Sequence, residues 1–135
     1  MIVDTSALLA FFDRDEPDHD AVASVLDGTS EPLVVSPFVV AELDYLVATQ
    51  LGVDAEIATF RELSGGAWDL AAFDTDDLTE LVPIIEKYHD QQIGVADASN
   101  VLLAARHDTR TIATLDRRHF SVLRPLAGGR FTVVP

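Results

Sequence analysis

Four acidic residues, Asp4, Glu42, Asp97 and Asp116, lie within or directly after apolar segments of the chain. An ionised carboxylate in apolar surroundings is costly unless another group neutralises it. Four such carboxylates together are typical of a site for a divalent cation, because Mg²⁺ and Mn²⁺ prefer carboxylate and water oxygens. One or two such ions can activate water for cleavage of a phosphodiester bond. The pattern therefore predicts a metal-dependent hydrolytic site.

Three of these acids also have an ordinary structural role open to them. Asp4 follows an apolar strand and precedes a helix, so its side chain could cap that helix. Asp97 lies in the first turn of an expected helix, where a negative charge complements the helix dipole. Asp116 ends a β-branched strand and could cap the turn into residues 117–120. Each structural role is plausible alone. Four acids at one edge of the sheet are harder to explain in this way, and they favour the metal site.

Glu42 is harder to explain as a surface acid. Its neighbours three and four positions away on the expected helix are all apolar or aromatic: Phe38, Val39, Tyr45 and Leu46. A glutamate within an apolar stripe is expected to be shielded from solvent rather than to lie on a solvated face. We therefore expect Glu42 to join the acidic cluster, while Asp44 is expected to be an ordinary exposed acid.

The hydrophobic pattern predicts an alternation of short strands and helices. The strands are expected at residues 1–4, 33–35, 68–73, 111–115 and 131–134. The helices are expected at residues 5–12, 17–26, 37–51, 54–63, 75–89 and 95–107. Such alternation predicts one α/β domain over residues 1–135, with a mainly parallel sheet and helices on both faces. Ligands collect at the carboxyl ends of parallel strands, where Asp4 and Asp116 are expected.

Composition excludes several other classes of protein. The chain has 135 residues, of which 48% are hydrophobic and 24% charged, and it has no cysteine. Disulfides and thiolate zinc sites are therefore excluded. No segment has the length of a membrane span, and the N-terminus lacks the basic region of a signal peptide. We expect a cytoplasmic protein that does not enter a membrane.

The charge distribution is uneven along the chain. The net charge of −14 disfavours nucleic acid, because phosphates attract basic surfaces. However, residues 101–135 contain six of the nine basic residues and only two of the 23 acidic ones, Asp108 and Asp116. A GC-rich genome would also favour arginine, so the bias could be compositional. The alternative is an arginine-bearing surface beside an acidic centre, since guanidinium groups suit phosphate oxygens.

Four segments of the chain resemble the motifs of PIN-domain nucleases, and more closely those of VapC toxins from bacterial toxin–antitoxin pairs. The segments are residues 4–10 (DTSALLA), 39–43 (VVAEL), 93–98 (IGVADA) and 114–120 (TLDRRHF). Their order and spacing agree with the family over the whole chain. The resemblance implies an α/β/α sandwich around a short parallel sheet and an endoribonuclease that depends on Mg²⁺ or Mn²⁺.

The resemblance also implies roles for individual residues and partners. It assigns Asp4, Glu42, Asp97 and Asp116 as the metal-binding acids, and it suggests that Thr5, Ser6 and Thr114 support them. A structured RNA, such as ribosomal or transfer RNA, is the implied substrate. The implied assembly is a homodimer, which a small VapB antitoxin inhibits by inserting a segment into the acidic cleft.

Arg117 and Arg118 are the leading candidates for contacts with RNA phosphates, and surface salt bridges are the alternative role for both. The four histidines lack the spacing of a metal site and are expected to be surface or structural groups. His119 is the exception to follow, because it is close in sequence to Asp116.

Two other classes of function remain open from the residues. A phosphatase or receiver domain also places an aspartate after a strand. The phosphatase would have a second acid where Ser6 stands, and the receiver would have a lysine after a late strand, whereas Lys87 is in a helix. A catalytically silent PIN-like module that binds protein or RNA is the non-enzymatic alternative. Loss of one of the acids would indicate that module, and none is lost.

Overall fold

The protein forms a five-stranded parallel sheet in the order β3-β2-β1-β4-β5. The computed structural model describes all of residues 1–135. The strands are β1 (Ile2–Val3), β2 (Leu33–Val35), β3 (Trp68–Leu70), β4 (Thr111–Ala113) and β5 (Thr132–Val134). The central strand β1 pairs in parallel with both neighbours, since Ile2 lies opposite Val34 on one side and Ile112 on the other. All five predicted strands are confirmed.

Seven helices connect the strands. They are α1 (Thr5–Phe12), α2 (His19–Gly28), α3 (Pro37–Gln50), α4 (Val53–Leu63), α5 (Thr75–Lys87), α6 (Val95–Arg106) and α7 (Arg117–Val122). A short 3₁₀ helix, His89–Gln91, follows α5. No helix has both the length and the apolar character needed to cross a bilayer.

Two apolar cores lie on opposite faces of the sheet, because neighbouring residues of a strand face opposite sides. Val3 and Ala113 pack with residues of α1, α2 and α3 in one core. Ile2 and Ile112 pack with residues of α5, α6 and α7 in the other. Each of these four strand residues is fully buried. The predicted α/β/α sandwich is therefore confirmed.

The chain reverses its direction of travel across the sheet at β1. From β1 it proceeds to β2 and β3 on one side, and β4 and β5 then add on the other side. Helices leaving the two neighbouring strands diverge at such a point and leave a crevice at the carboxyl ends of the strands. Asp4 directly follows β1, and Thr114 directly follows β4. The topology thus brings together residues that are 110 positions apart.

The helices begin or end within about two residues of the predicted bounds, and two differences have a physical reason. Helix α2 begins at His19 rather than at Pro17, because backbone hydrogen bonds from Glu16 to Asp13 and from His19 to Glu16 hold the preceding segment in turns. Residues 117–122 were expected to form a turn but form α7. The side chain of Asp116 accepts a hydrogen bond from the backbone of His119 and so stabilises this short helix.

Asp74 is the N-cap residue of α5, and its contribution to the stability of the fold can be tested. Its side chain accepts hydrogen bonds from the backbone N–H groups of Asp76 and Asp77, at 2.9 and 3.1 Å. We expect Asp74→Ala to lower the free energy of unfolding by about 1 kcal/mol. Asp76→Ala, in the same turn but without a capping bond, should cost only about 0.3 kcal/mol. Urea denaturation of both variants measures the difference, and equal losses would contradict the capping role.

Candidate active site

Asp4 is a buried carboxylate held by side chains from three different elements. Its exposed fraction is 6%. One oxygen, Oδ1, accepts a hydrogen bond from Asn100 Nδ2 of α6 at 3.0 Å. The other oxygen, Oδ2, accepts from Ser6 Oγ of α1 at 2.9 Å and from Thr114 Oγ1 after β4 at 2.7 Å. The side chain makes no capping hydrogen bond to α1, so the structural role considered for Asp4 is not the one it has.

The two hydroxyl groups are oriented by the backbone. Leu115 N donates to Ser6 Oγ at 2.9 Å, and Asp116 N donates to Thr114 Oγ1 at 3.0 Å. Each hydroxyl oxygen therefore already accepts one bond, and its single proton is free to be donated to Asp4. Both groups thus favour the charged form of the carboxylate.

Burial nevertheless dominates the titration of Asp4. Loss of solvation raises the pKa of its carboxyl group, and the hydrogen bonds from Thr114 and Ser6 offset only part of this effect. No lysine or arginine forms an ion pair with Asp4. A buried carboxylate without a cationic partner is uncommon, and it is found where function requires it.

Asp97 lies beside Asp4 at the start of α6. Burial, followed by the negative charge of Asp4, raises the pKa of Asp97 to about 6. A hydrogen bond from Gly94 N at 3.3 Å and the charge of His119 act in the opposite direction. Asp97 therefore does interact with the N-terminus of α6, as expected. This interaction lowers its pKa by less than burial and charge repulsion raise it. Asn100, which donates to Asp4, lies three residues after Asp97 on α6, so one face of this helix carries both side chains.

His119 joins Asp116 to the same cluster. Its Nδ1 atom lies 3.0 Å from Asp116 Oδ2 and 3.5 Å from Asp97 Oδ2. Asp116 Oδ1 also accepts from His119 N at 2.9 Å, so Asp116 caps α7 while its second oxygen faces the imidazole. The sequence marked His119 only by its proximity to Asp116. The additional signal is the three-residue spacing, which brings both side chains to one face of a helix.

Glu42 differs from the sequence prediction in its surroundings. It lies on the exposed side of α3, where Tyr45 is also 68% exposed. The expectation that apolar neighbours shield Glu42 is therefore wrong, because those neighbours divide between a buried and an exposed face. Glu42 is connected to the cluster through Thr5, whose Oγ1 donates to Glu42 Oε2 at 2.6 Å. Thr5 is itself buried and directly follows Asp4.

The chemistry of these donors fits a hard divalent ion. The four acids and three hydroxyl groups offer only oxygen atoms, and the charge of Asp4 has no ion-pair partner. However, no three acidic or histidine side chains are arranged so that they could hold a metal ion as they stand. Glu42 is engaged by Thr5, and Asp97 and Asp116 both face His119. An ion would therefore have to replace existing hydrogen bonds and ion pairs.

Arg117 and Arg118 open α7 beside this cluster, and both side chains are exposed. Arg117 Nη2 donates to the main-chain oxygen of Pro135 at 2.6 Å. Neither arginine forms an ion pair with an acid. The salt bridges considered as their alternative role are thus absent, and both guanidinium groups keep free donors.

Comparisons with known proteins show the family and the fold of this chain. The family model of the PIN domain matches residues 1–124. The chain is 64% identical to Ribonuclease VapC26 of Mycobacterium tuberculosis over 135 residues, which is all of both chains. Among solved structures, it resembles VapC20 of the same organism, described as a sarcin–ricin-loop-cleaving toxin, with a TM-score of 0.85 at 15% identity over 99% of this chain and 98% of that one. It also resembles FitAcB from Neisseria gonorrhoeae, with a TM-score of 0.62 at 25% identity over 89% and 90%.

The raised pKa of Asp97 predicts a dependence of stability on pH. The group has its usual pKa of 3.8 in the unfolded chain and about 6 in the folded one, so folding takes up a proton between these values. Protonation of Asp97 therefore contributes to the free energy of unfolding. This contribution is fully present below pH 3.8 and is lost as the pH rises through 6. At pH 7.5 we expect Asp97→Asn to raise the free energy of unfolding by only about 1–2 kcal/mol, because solvent around the partly exposed side chain screens its repulsion with the other acids. At pH 4 the gain should be close to zero.

Urea denaturation at the two pH values, without metal, measures this effect. Asp69→Asn, on the exposed surface of β3, makes the same change of charge outside the cluster and should leave stability nearly unchanged. A gain for Asp97→Asn that does not vary with pH would contradict the assignment.

Proposed function

We propose that this chain, which belongs to the PIN-domain family and within it to the VapC toxins, is a metal-dependent endoribonuclease whose residues 1–135 act as a single domain. The observation that carries the proposal is the pair of contacts at the sheet edge: Asn100 of α6 holds Asp4, and His119 lies against both Asp97 and Asp116. These carboxylates are distant in sequence, and their mutual repulsion destabilises the fold. The 64% identity to a protein named a ribonuclease supports the same activity.

The four acids would hold one or two Mg²⁺ or Mn²⁺ ions. Asp4 is the fixed member, because donors from α1, α6 and the end of β4 orient both of its oxygens. Asp97, Asp116 and Glu42 complete the set from three other positions around it. Such an ion, when bound, activates water and stabilises the charge that develops on the phosphate during cleavage.

Thr5, Ser6 and Thr114 support the acids rather than react. Thr5 directs Glu42 toward the cluster, since its hydroxyl group donates to that carboxylate. Ser6 and Thr114 hold Asp4 through hydroxyl groups that the backbone orients. A carboxylate that is held in place before an ion arrives loses little further freedom on binding.

RNA is the proposed substrate, with structured ribosomal or transfer RNA as the preferred class. The acidic cluster repels phosphates, so the substrate needs both the metal and nearby cations. Arg117 and Arg118 can provide these cations, because they immediately follow Asp116 and form no ion pair with an aspartate or glutamate. The solved relative described as cleaving the sarcin–ricin loop is consistent with a structured RNA, although its identity to this chain supports the fold alone.

We further propose that the protein inhibits growth in the cytoplasm, forms a homodimer and is neutralised by a cognate VapB antitoxin. Large apolar side chains are exposed on α3 and α4 and could take part in such protein contacts. They are Tyr45, Val53, Ile57 and Phe60. The membership of the VapC toxins supports the antitoxin partner.

Cleavage of total cellular RNA by the purified protein tests this function. We expect discrete fragments with Mg²⁺ or Mn²⁺ and none with EDTA. Asp4→Asn and Asp97→Asn should lower the rate at least about 100-fold, because each removes a proposed ligand. Asp69→Asn is the control that changes the same charge on an exposed strand and should retain full activity.

Binding of Mn²⁺, followed by thermal unfolding, separates loss of the ion from loss of chemistry. The ion should stabilise the wild type and the Asp69→Asn control but not Asp97→Asn. Full cleavage by both the Asp4→Asn and Asp97→Asn variants would refute the mechanism. Absence of any metal-dependent cleavage by folded, antitoxin-free protein would favour a silent binding module.

A further inference from the structure

Three arginines surround a small cavity on the far side of α7 from the acidic cluster. The cavity has a volume of about 220 Å³, and its lining includes Arg117, Arg124 and Arg130. No aspartate or glutamate side chain lines it. Such a concentration of positive charge is unexpected in a chain with a net charge of −14. We refer to these three residues and the cavity between them as the arginine pocket.

No aspartate or glutamate forms an ion pair with an arginine of the pocket. Arg117 donates to the main-chain oxygen of Pro135, the last residue of the chain, at 2.6 Å. Arg124 Nη1 donates to the carbonyl oxygens of Ser121 and Leu123, both at 2.8 Å. These bonds use only some of the five N–H donors of each guanidinium group. The carbonyl partners of Arg124 are neutral, and Arg130 forms no ion pair, so these two positive charges remain available to an anion.

Arg106 differs from the arginines of the pocket because acidic side chains neutralise its charge. Arg106, on α6, forms ion pairs with Asp77 and with Glu80, the latter at 3.2 Å. These ion pairs connect α6 to α5, so the charge of Arg106 has a structural role. The chain thus has acids available to neutralise arginines, yet none is placed beside the arginine pocket.

Aromatic and aliphatic side chains form the rest of the lining. Phe120, Phe131 and Val133 contribute to it. The rings of Phe120 and Phe131 pack edge to face with centroids 5.9 Å apart, and Phe131 is only half-buried. A partly exposed aromatic ring beside guanidinium groups is a surface on which a nucleic-acid base can stack next to its phosphate.

The arginine pocket lies within reach of the acidic cluster along a single helix. Asp116 begins α7, while Arg117 and Ser121 follow at one-turn spacing on the face that lines the pocket. A helix of this length spans roughly 9 Å. An RNA strand that crosses the acidic cluster would therefore reach the pocket within a few nucleotides.

We propose that the arginine pocket binds a backbone phosphate of the RNA substrate, with the adjoining base against Phe131. This contact fixes the register of the strand and so determines which bond is presented to the acidic cluster. The inference rests on the proposed ribonuclease function and extends it to a specificity-determining subsite. The aromatic lining favours RNA over an acidic peptide, which could use the arginines but offers no base to stack.

Binding measurements on a cleavage-deficient Asp97→Asn background test the subsite without requiring catalysis. The probe is a fluorescein-labelled, single-stranded RNA of random sequence, and a glutamate decamer is measured in parallel. We expect Arg124→Gln combined with Arg130→Gln to weaken RNA binding about tenfold and to reduce the slope of log affinity against log salt by about 1. Arg14→Gln combined with Arg61→Gln removes two exposed arginines elsewhere and should leave both quantities unchanged.

Cleavage by the active protein supplies a second readout. The variants of the arginine pocket should raise KM, and they should alter the distribution of fragment ends, since the register of the strand is lost. The Arg14→Gln and Arg61→Gln pair should keep the wild-type fragments. If loss of the Arg124 bonds to α7 unfolds the double variant, Arg130→Gln alone serves, because Arg130 is exposed and makes no such bonds.

The outcomes distinguish failure of the subsite from failure of the function. RNA binding and fragment ends equal to those of the control would overturn the subsite while the ribonuclease stands. A loss of binding for the glutamate decamer but not for RNA would also overturn it and would assign the pocket to an acidic peptide. If the wild type cleaves no RNA and the Asp97→Asn form binds none, both proposals are overturned.

Discussion

The buried carboxylate of Asp4 is the constraint on which the arrangement of the site depends. Its three donors come from α1, from α6 and from the residue after β4, so one ionisable group connects the central strand to elements up to 110 positions away. Any displacement of these elements would leave a buried polar group without a partner, which is costly. Asn100 Oδ1 is already in that state, since it is buried and has no hydrogen-bond partner. The network therefore holds the sheet edge in one geometry.

The same network works against the stability of the fold. Burial raises the pKa of Asp4 and of Asp97, and the two negative charges repel each other. His119 relieves part of this repulsion because it lies against Asp97 and Asp116. Two extensive apolar cores make the remaining cost tolerable. Retention of such a cost is typical of a functional site, where activity requires an arrangement that stability alone would not favour.

The sequence predicted the elements whose signals are local and strong. The strands are short and mostly apolar runs, and Asp4 and Asp116 come shortly after two of them, so their place at the sheet edge could be inferred. The surroundings of Glu42 could not, because Phe38 and Tyr45 flank it at helical spacing whether or not they are buried. Helix α7 was missed because six residues carry too little periodicity. The hydroxyl network depends on contacts between distant residues, which no local pattern contains.

Net charge is a poor guide to which ligands this protein can bind, because some of its arginines form ion pairs with acids and others do not. Arg106 is neutralised by acids of α5, whereas Arg124 donates only to backbone carbonyl groups and Arg130 forms no ion pair. An excess of acids elsewhere on the surface repels a polyanion from most directions. That repulsion leaves the unpaired arginines beside α7 as the favourable approach. An acidic surface would thus raise selectivity, because a phosphate chain would gain by binding only where these arginines lie beside the acidic cluster.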